Sequence, residues 1–299
     1  MVNMMDMGTS NMKNQLIPAF TFGEPNKPVT IAKDKASIKN SSGSILLYGD
    51  AEVRLDLRPN PIIKVYFTTN TEIEQINKLR LCTEGFTHKS FEVKLDNLKK
   101  TIKAPMTAYE SSIVLSLLEP IVGVGDDSTE IQYVVFHLFN FKKIHQIGNT
   151  DIEHVNLKAD NWIIELQSLP ESNNNFEKLD NEGGCGITHI GKLEKVNNTP
   201  FTGKEAMYML DALRHFLSFA NGAWCELTCP VGFNPLGNRV WEYWSRPNSQ
   251  HSEQSWFDEK HPEQLEDLFS GFMSYWVKEN WRNTFHEVIY WYTNSNDSS

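Results

Sequence analysis

Apolar and polar positions alternate with a period of two over much of the first 200 residues. The clearest case is Ala51–Leu57, in which Glu52, Arg54 and Asp56 separate four apolar residues. Such alternation is typical of a half-buried strand with one wet face. A proline-containing turn then leads into the apolar run Ile62–Phe67, which favours an antiparallel pair of strands.

Further runs extend this pattern to about eight strand candidates before residue 200, counted from apolar runs and the turns that bound them. The candidates are Ser44–Tyr48, Ala51–Leu57, Ile62–Phe67, Lys78–Cys82, Ser90–Leu95, Glu130–Phe141, Asn161–Leu166 and Gly186–Val196, with Ser112–Leu118 as either a strand or a short buried helix. The turns between them are irregularly spaced, and the polar, glycine-rich stretch Glu171–Gly186 predicts a long exposed loop. The prediction is an antiparallel β-rich region, built as a sandwich or a strongly bent sheet.

The pattern changes to a helical period after Phe201. Thr202 and Glu205 have the spacing of a capping box, in which each side chain satisfies a free backbone N–H of the first turn. Apolar residues then recur at spacings of three and four on one face, and Asn221-Gly222 supplies the left-handed residue that ends a helix. That face consists of Ala206, Leu210, Leu213, Leu217 and Ala220.

Two strand candidates, Ala223–Thr228 and Arg239–Ser245, follow this helix, and two further helices are predicted from Pro262 to about Tyr292. The fold class is therefore α+β, with a β-rich N-terminal region and a helix-strand-strand-helix-helix C-terminal region. The predicted organisation is a partly mobile N-terminal extension over residues 1–40, a β-rich domain over 41–198, an α+β domain over 199–294 and a tail over 295–299.

Composition narrows the function classes. The formal charge of -10 and the pI of about 5.4 argue against bulk nucleic-acid binding, which depends on a basic surface. The longest apolar candidate for a membrane span, Ser112–Val124, is interrupted by Glu119-Pro120 and is too short. No secretory signal is visible at the N-terminus, and four cysteines are too few for a disulfide framework. We expect a cytoplasmic protein with no membrane partner.

Several pairs of cysteine, histidine or arginine residues could in principle support catalysis or metal binding, but no known motif surrounds them. Cys225 and Cys229 would share one face of a strand, and small buried cysteines are the better interpretation. Cys185 lies four residues before His189, and the glycines around the cysteine favour a flexible loop over a nucleophile with its base. Arg282 and His286 stand one helical turn apart, which we interpret as a surface pair. The sequence therefore predicts no catalytic residue, metal ligand or cofactor.

The aromatic strand candidate around Trp241 is the remaining candidate for binding. Seven of the eight tryptophans lie from Trp224 onward, and aromatic residues alternate onto both faces of this strand. The first interpretation is a core strand that is covered on both sides. The second is that Trp241 and Tyr243, together with Arg246, line a recognition surface for a base or a partner protein.

The C-terminal third contains, in this order, the stretches Leu210–Gly222, Ser255–Asp258 and Ile289–Tyr292. In their order and residue types these stretches resemble a region of bacterial HEPN-associated, ApeA-like phage-defence proteins. The resemblance implies a β-rich sensing or interaction part that precedes a helical nuclease-like domain. The catalytic arginine and histidine of that family have no matching positions here, so none is carried over.

Together these observations predict a non-catalytic recognition or sensor module that acts in anti-phage defence. Its expected partner is a HEPN-like effector or a phage component. Two alternatives stay open, namely a hydrolase or nuclease whose site is assembled only in three dimensions, and a carbohydrate-binding β-sandwich.

Overall fold

The computed structural model describes residues 15–39, 44–69, 90–108, 113–144, 154–169, 172–248 and 255–296. The predicted strand Lys78–Cys82, the first residues of the predicted extension and the end of the predicted tail lie outside these ranges. The predicted domain boundaries at 40, 198 and 294 stay predictions.

A closed barrel of six antiparallel strands forms the first layer, with the order β1-β2-β3-β6-β5-β4. It closes because β1 pairs with β2 on one side and with β4 on the other. The strand-rich N-terminal part is therefore confirmed, but the predicted sandwich or bent sheet is replaced by a barrel. The strands are β1 (Val29–Lys39), β2 (Ile45–Asp56), β3 (Ile62–Thr68), β4 (Ser90–Leu95), β5 (Lys100–Ala108) and β6 (Ile113–Leu117).

Strand β2 shows how the alternating pattern becomes a barrel wall. Val53 and Leu55 point into the core, while Glu52 and Arg54 lie on the outer face, as the alternation predicts. The prediction of two separate strands, Ser44–Tyr48 and Ala51–Leu57, is wrong, because β2 runs through Gly49 and Asp50 without interruption. A side chain at Gly49 would overlap the main chain of Thr68 on β3, so glycine lets the two strands approach at this point.

A seven-stranded antiparallel sheet forms the second layer, with the order β10-β11-β12-β9-β14-β15-β7. Because β9 pairs with β14, strands from both sides of residue 199 share this sheet. Two short strands, β8 (Glu130–Ile131) and β13 (Phe201–Thr202), pair separately. The seven strands are β7 (Ile121–Val124), β9 (Tyr133–Phe139), β10 (His154–Ala159), β11 (Trp162–Ser168), β12 (Ile187–Lys195), β14 (Leu227–Phe233) and β15 (Arg239–Trp244).

The sheet is buried on both faces, since the barrel packs on one face and helices pack on the other. Trp244 belongs to the barrel-side core and Trp241 to the helix-side core, and both indoles are fully buried. The interpretation of β15 as a strand covered on both sides is therefore confirmed. Cys225 and Cys229 also divide between the two cores, so the prediction that they share a face is wrong. The reason is a bulge between Thr228 and Val231, where Cys229 adopts a positive φ of 44°.

Four helices occur in the described part of the chain: α1 (Ser172–Glu182), α2 (Gly203–Asn221), α3 (Glu263–Trp276) and α4 (Glu279–Asn296). The predicted loop over 171–186 is wrong for most of its length, because α1 occupies it. The capping box and the left-handed end of α2 are confirmed, with Gly222 at φ 72°. From α2 onward the order helix, strand, strand, helix, helix agrees with the prediction. None of these helices combines the length and apolar composition that crossing a membrane requires.

Candidate functional site

A cavity of about 570 Å³ lies where the connections between barrel and sheet meet α2 and β15. We call it the Tyr243 cavity. Its wall comes from the turn before β3, the β6–β7 connection, one side of α2, parts of β14 and β15, and the segment after β15. The lining residues are Asn60, Pro61, Leu118, Glu119, Pro120, Met207, Leu210, Asp211, Arg214, Glu226, Leu227, Pro230, Tyr243, Ser245, Arg246, Pro247 and Asn248.

Two of the three residues that the sequence analysis selected for binding line this cavity. Tyr243 is half-buried in its wall, and Arg246 is exposed at its edge. Trp241 lies elsewhere, in the core between the sheet and α2, with its ring parallel to that of Tyr243 at 6.3 Å between centroids. Trp241 therefore packs against the core side of Tyr243 and is not accessible to a ligand. Binding by Tyr243 and Arg246 stays a prediction.

The charges in the cavity are partly neutralised within the protein. Arg214 on α2 donates to Glu226 at 3.0 Å and to Asp211 at 3.3 Å, and its guanidinium also lies 5.1 Å from the ring centre of Trp224. By contrast, Arg246 has no ion-pair or hydrogen-bond partner in the part of the chain that the structure describes. Within those residues, the cavity thus contains an unpaired cation and a half-buried aromatic ring in its lining.

Asp211 also belongs to a second group of side chains, which we call the helix cluster: Asp211 and His215 on α2 with His286 on α4. One potential ligand atom from each residue lies within 4.8 Å of the other two. The imidazoles of His215 and His286 meet edge to face, with 4.2 Å between ring centres. Asp211 Oδ2 lies 3.9 Å from His286 Nε2. The helical spacing of Asp211 and His215 places them on one face, and the packing of α4 on α2 brings in His286.

The environment of the helix cluster differs from side chain to side chain. His215 is only 1% exposed and its Nδ1–H donates to the main-chain carbonyl oxygen of Asp211 at 2.8 Å, whereas Asp211 and His286 are 39% and 41% exposed. Burial raises the pKa of Asp211, but the hydrogen bond with His215 and the neighbouring positive charges outweigh it, so the pKa is lowered. Burial and the adjacent His215 lower the pKa of His286.

The helix cluster changes the interpretation of the Arg282–His286 pair. The two residues lie one turn apart on α4, as predicted. His286 is more than a surface residue, however, because it faces α2 and contacts the buried His215. Arg282 lies over the ring of Tyr208 at 5.8 Å. Sequence reasoning missed the cluster. The i, i+4 spacing of Asp211 and His215 was a visible signal, whereas nothing local connects them to His286.

The three cysteines that the structure describes, and the buried His189, pack as core side chains. Cys185, Cys225 and Cys229 are buried and free, and burial raises the pKa of each thiol, to about 12 for Cys185 and Cys229. Burial lowers the pKa of His189 to about 3, and this side chain contacts Phe141 and Thr188. A thiol that holds its proton this firmly makes a poor nucleophile at neutral pH.

Comparisons with known proteins relate this chain to a prophage protein. The family model of the YopA central domain matches residues 126–255, a range that includes Asp211, His215, Tyr243 and Arg246. No solved structure matches the chain significantly. The chain is similar to the SPbeta prophage-derived uncharacterized protein YopA of Bacillus subtilis (strain 168), with 25% identity over 182 residues. That alignment covers 57% of this chain and 41% of the relative, so the chain spans about two fifths of that protein. Both matches are partial, and they show similarity to a prophage-derived protein over the residues that they cover.

Proposed function

We propose that the chain is a non-catalytic recognition module that binds a segment of a partner protein in the Tyr243 cavity. The observation that carries this proposal is that one cavity is lined by both the exposed, unpaired Arg246 and the half-buried Tyr243, within the described residues. Tyrosine and arginine are enriched among the residues that dominate binding energy at protein interfaces. Binding sites typically have volumes of roughly 300 to 1,000 Å³, and the cavity falls within that range.

The lining of the cavity defines the chemistry of the bound segment. Arg246 favours a carboxylate, because guanidinium binds that group through two parallel hydrogen bonds. Leu118, Met207 and several prolines provide apolar contacts next to it. The proposed ligand is therefore a short segment that carries an acidic side chain next to an aliphatic or aromatic one.

The biological setting of the proposal comes from the relative and from the resemblance described above. The relative is named as prophage-derived. We place the recognition module in the conflict between phage and bacterium, with a phage component or a HEPN-like effector as the partner. The link to HEPN-associated proteins rests on the resemblance alone.

A capture experiment with charge-matched variants tests the recognition function. The bait would be the tag-immobilised chain, incubated with bacterial lysate before and after phage infection, and captured proteins would be quantified by mass spectrometry. Arg246→Glu and Tyr243→Ala should each reduce capture of the partner by at least about tenfold, as expected for central interface residues. Lys158→Glu makes the same charge change on β10, at the opposite edge of the sheet, and should leave capture unchanged.

Direct binding then decides the result. Titration calorimetry with the purified partner should give equal affinities for the wild type and Lys158→Glu, and weaker binding by both cavity variants. Equal binding by all four proteins, or no protein enriched over the Arg246→Glu bait, would overturn the recognition function at this cavity.

A hydrolase or nuclease is the second candidate, and the helix cluster favours it. A carboxylate and two imidazoles within reach of each other are the groups that general acid–base catalysis uses. His286→Ala should then abolish cleavage of single-stranded RNA or DNA by the purified chain, while Arg246→Glu retains it. The carbohydrate-binding alternative gains no support from β15, because Trp241 and Trp244 on that strand are buried.

A further inference from the structure

We propose that Asp211, His215 and His286 bind one divalent first-row transition-metal ion between α2 and α4. This site goes beyond the recognition function and does not depend on a partner in the Tyr243 cavity. The chemistry of the donors, their spacing and the packing around them each support it.

The donor set suits such an ion. Two imidazole nitrogens and one carboxylate oxygen are the protein ligands of many zinc sites and of non-haem iron sites. Three protein ligands leave at least one coordination position open. Asp211 and His286 are partly exposed, so water or a small ligand can reach that position. The hard cations Mg²⁺ and Ca²⁺ are poor candidates, because they prefer oxygen ligands.

The spacing is close to what coordination requires. Tetrahedral ligands with bonds of about 2.1 Å lie roughly 3.4 Å apart. Asp211 Oδ2 and His286 Nε2 are separated by 3.9 Å, and all three potential ligand atoms lie within 4.8 Å of each other. Since Asp211 and His286 are partly exposed, small side-chain rotations can close the remaining gap.

His215 is held in a form that can coordinate a metal. Its Nδ1–H donates to the main-chain carbonyl oxygen of Asp211 at 2.8 Å and lies 3.4 Å from Asp211 Oδ1, so the lone pair is on Nε2. Metal-ligating histidines commonly donate their second nitrogen to a carbonyl or carboxylate in this way, which sets tautomer and ring orientation. The donor and the acceptor both lie on α2, so this hydrogen bond orients His215 before any ion binds.

Trp276 of α3 closes one side of the helix cluster. Its indole is fully buried and packs against both imidazoles, at 5.0 Å from His215 and 5.2 Å from His286 between ring centres. This apolar wall shields one side of the cluster from water.

Two neighbouring cations act against the ion. Arg214 and Arg282 both lower the proton affinity of His286 by their charge, and they repel a metal ion in the same way. Glu226 and Asp211 form ion pairs with Arg214 and offset its charge. Asp211 would therefore interact with both Arg214 and the metal ion. We therefore expect reversible binding, weaker than that of a closed four-ligand structural zinc site.

The test uses the full chain without a histidine tag and Co²⁺ as a spectroscopic probe. One equivalent of Co²⁺ should produce a visible d–d absorption band, and Zn²⁺ should abolish it by competition. Calorimetry with Zn²⁺ should give a stoichiometry of one per chain. His286→Ala and Asp211→Asn should each weaken binding by at least about tenfold, as loss of metal-site residues does.

His261 provides the matched control. It is an exposed histidine near two carboxylates, with Glu263 at 2.9 Å and Asp258 at 4.0 Å, but it lies outside the helix cluster. His261→Ala should leave Co²⁺ and Zn²⁺ binding unchanged. Circular dichroism checks the fold of each variant, and His286→Gln replaces His286→Ala if the latter unfolds.

The results separate the possibilities. Absence of a Co²⁺ band together with absence of Zn²⁺ binding would overturn the proposal and leave a hydrogen-bonded cluster without metal. Binding that His261→Ala reduces as much as His286→Ala would also overturn it, because surface histidines would then be responsible.

Discussion

Gly123 on β7 lies directly against the indole ring of Trp244 on the neighbouring strand β15. A Cβ atom at position 123 would overlap three atoms of that ring, and Trp244 is fully buried in the barrel-side core. Overpacking of this kind typically costs about 1 to 3 kcal/mol. We expect Gly123→Ala to lower the free energy of unfolding by that amount, measured from the midpoint of urea denaturation.

The same glycine-to-alanine substitution should have the opposite effect on stability at Gly271. It lies in the middle of α3, is exposed, and a Cβ atom there would meet no described heavy atom within 4 Å. Alanine lowers the entropy of the unfolded chain and favours the helix, so Gly271→Ala should stabilise the protein by about 0.5 to 1 kcal/mol. Destabilisation by both substitutions would contradict the role assigned to Trp244.

The capping box of α2 predicts a graded series at Thr202. Its hydroxyl accepts from the N–H of Glu205 at 3.2 Å, while the Glu205 carboxylate accepts from the N–H of Thr202 at 2.8 Å. Thr202→Ala should cost about 1 kcal/mol and Thr202→Ser much less, because serine keeps the hydroxyl. Chemical denaturation of the three proteins measures the difference. Equal losses for alanine and serine would show that the methyl group, and not the cap, matters.

Local signals explain why α2 could be predicted while the barrel could not. The start of α2 depends on two residues three positions apart, and its end on one glycine. The closure of the barrel depends on the pairing of β1 with β4, which are far apart in sequence, and no local pattern encodes that register. Helix α1 is a related case. Its weak apolar pattern is typical of a loop, but Phe176 contacts His189, and Asn175 bonds to the main chain of β12.

The same contrast applies to the candidate site. Tyr243 and Arg246 could be selected because aromatic residues and an arginine cluster within one short segment. The helix cluster needs α4 to pack on α2, two strands and a helix later in the chain, so no local pattern linked His286 to Asp211 and His215. Trp241 was selected on the same pattern as Tyr243. What separates them is the extent of α2, which covers Trp241 and leaves Tyr243 at its margin.

The surroundings of Asp56 predict that the free energy of unfolding falls in acid. Burial raises the pKa of this carboxyl group, but hydrogen bonds from Tyr66, Arg54 and Lys64 outweigh it, so the folded-state pKa lies below its usual value. A lowered pKa stabilises the fold above the unfolded-state pKa of about 3.9, and this contribution is lost as pH falls through the folded-state value.

Asp56→Asn should therefore cost about 1 to 3 kcal/mol at pH 7 and flatten the decline of stability below about pH 4. Urea denaturation at several pH values measures both effects. Asp267→Asn, at an exposed position on α3, serves as the control and should change neither. An unchanged acid limb in Asp56→Asn would refute the assignment.

The burial of three cysteines predicts that their thiols react only when the protein unfolds locally or globally. Cys185, Cys225 and Cys229 are each at most 3% exposed, and burial raises the pKa of all three. Thiolate formation and reagent access are both suppressed, so a Cys82→Ser variant should give almost no reaction with Ellman's reagent in buffer. The same variant should show three reactive thiols in denaturant. Rapid labelling of one thiol under native conditions would identify a segment that opens locally, and mass spectrometry would locate it.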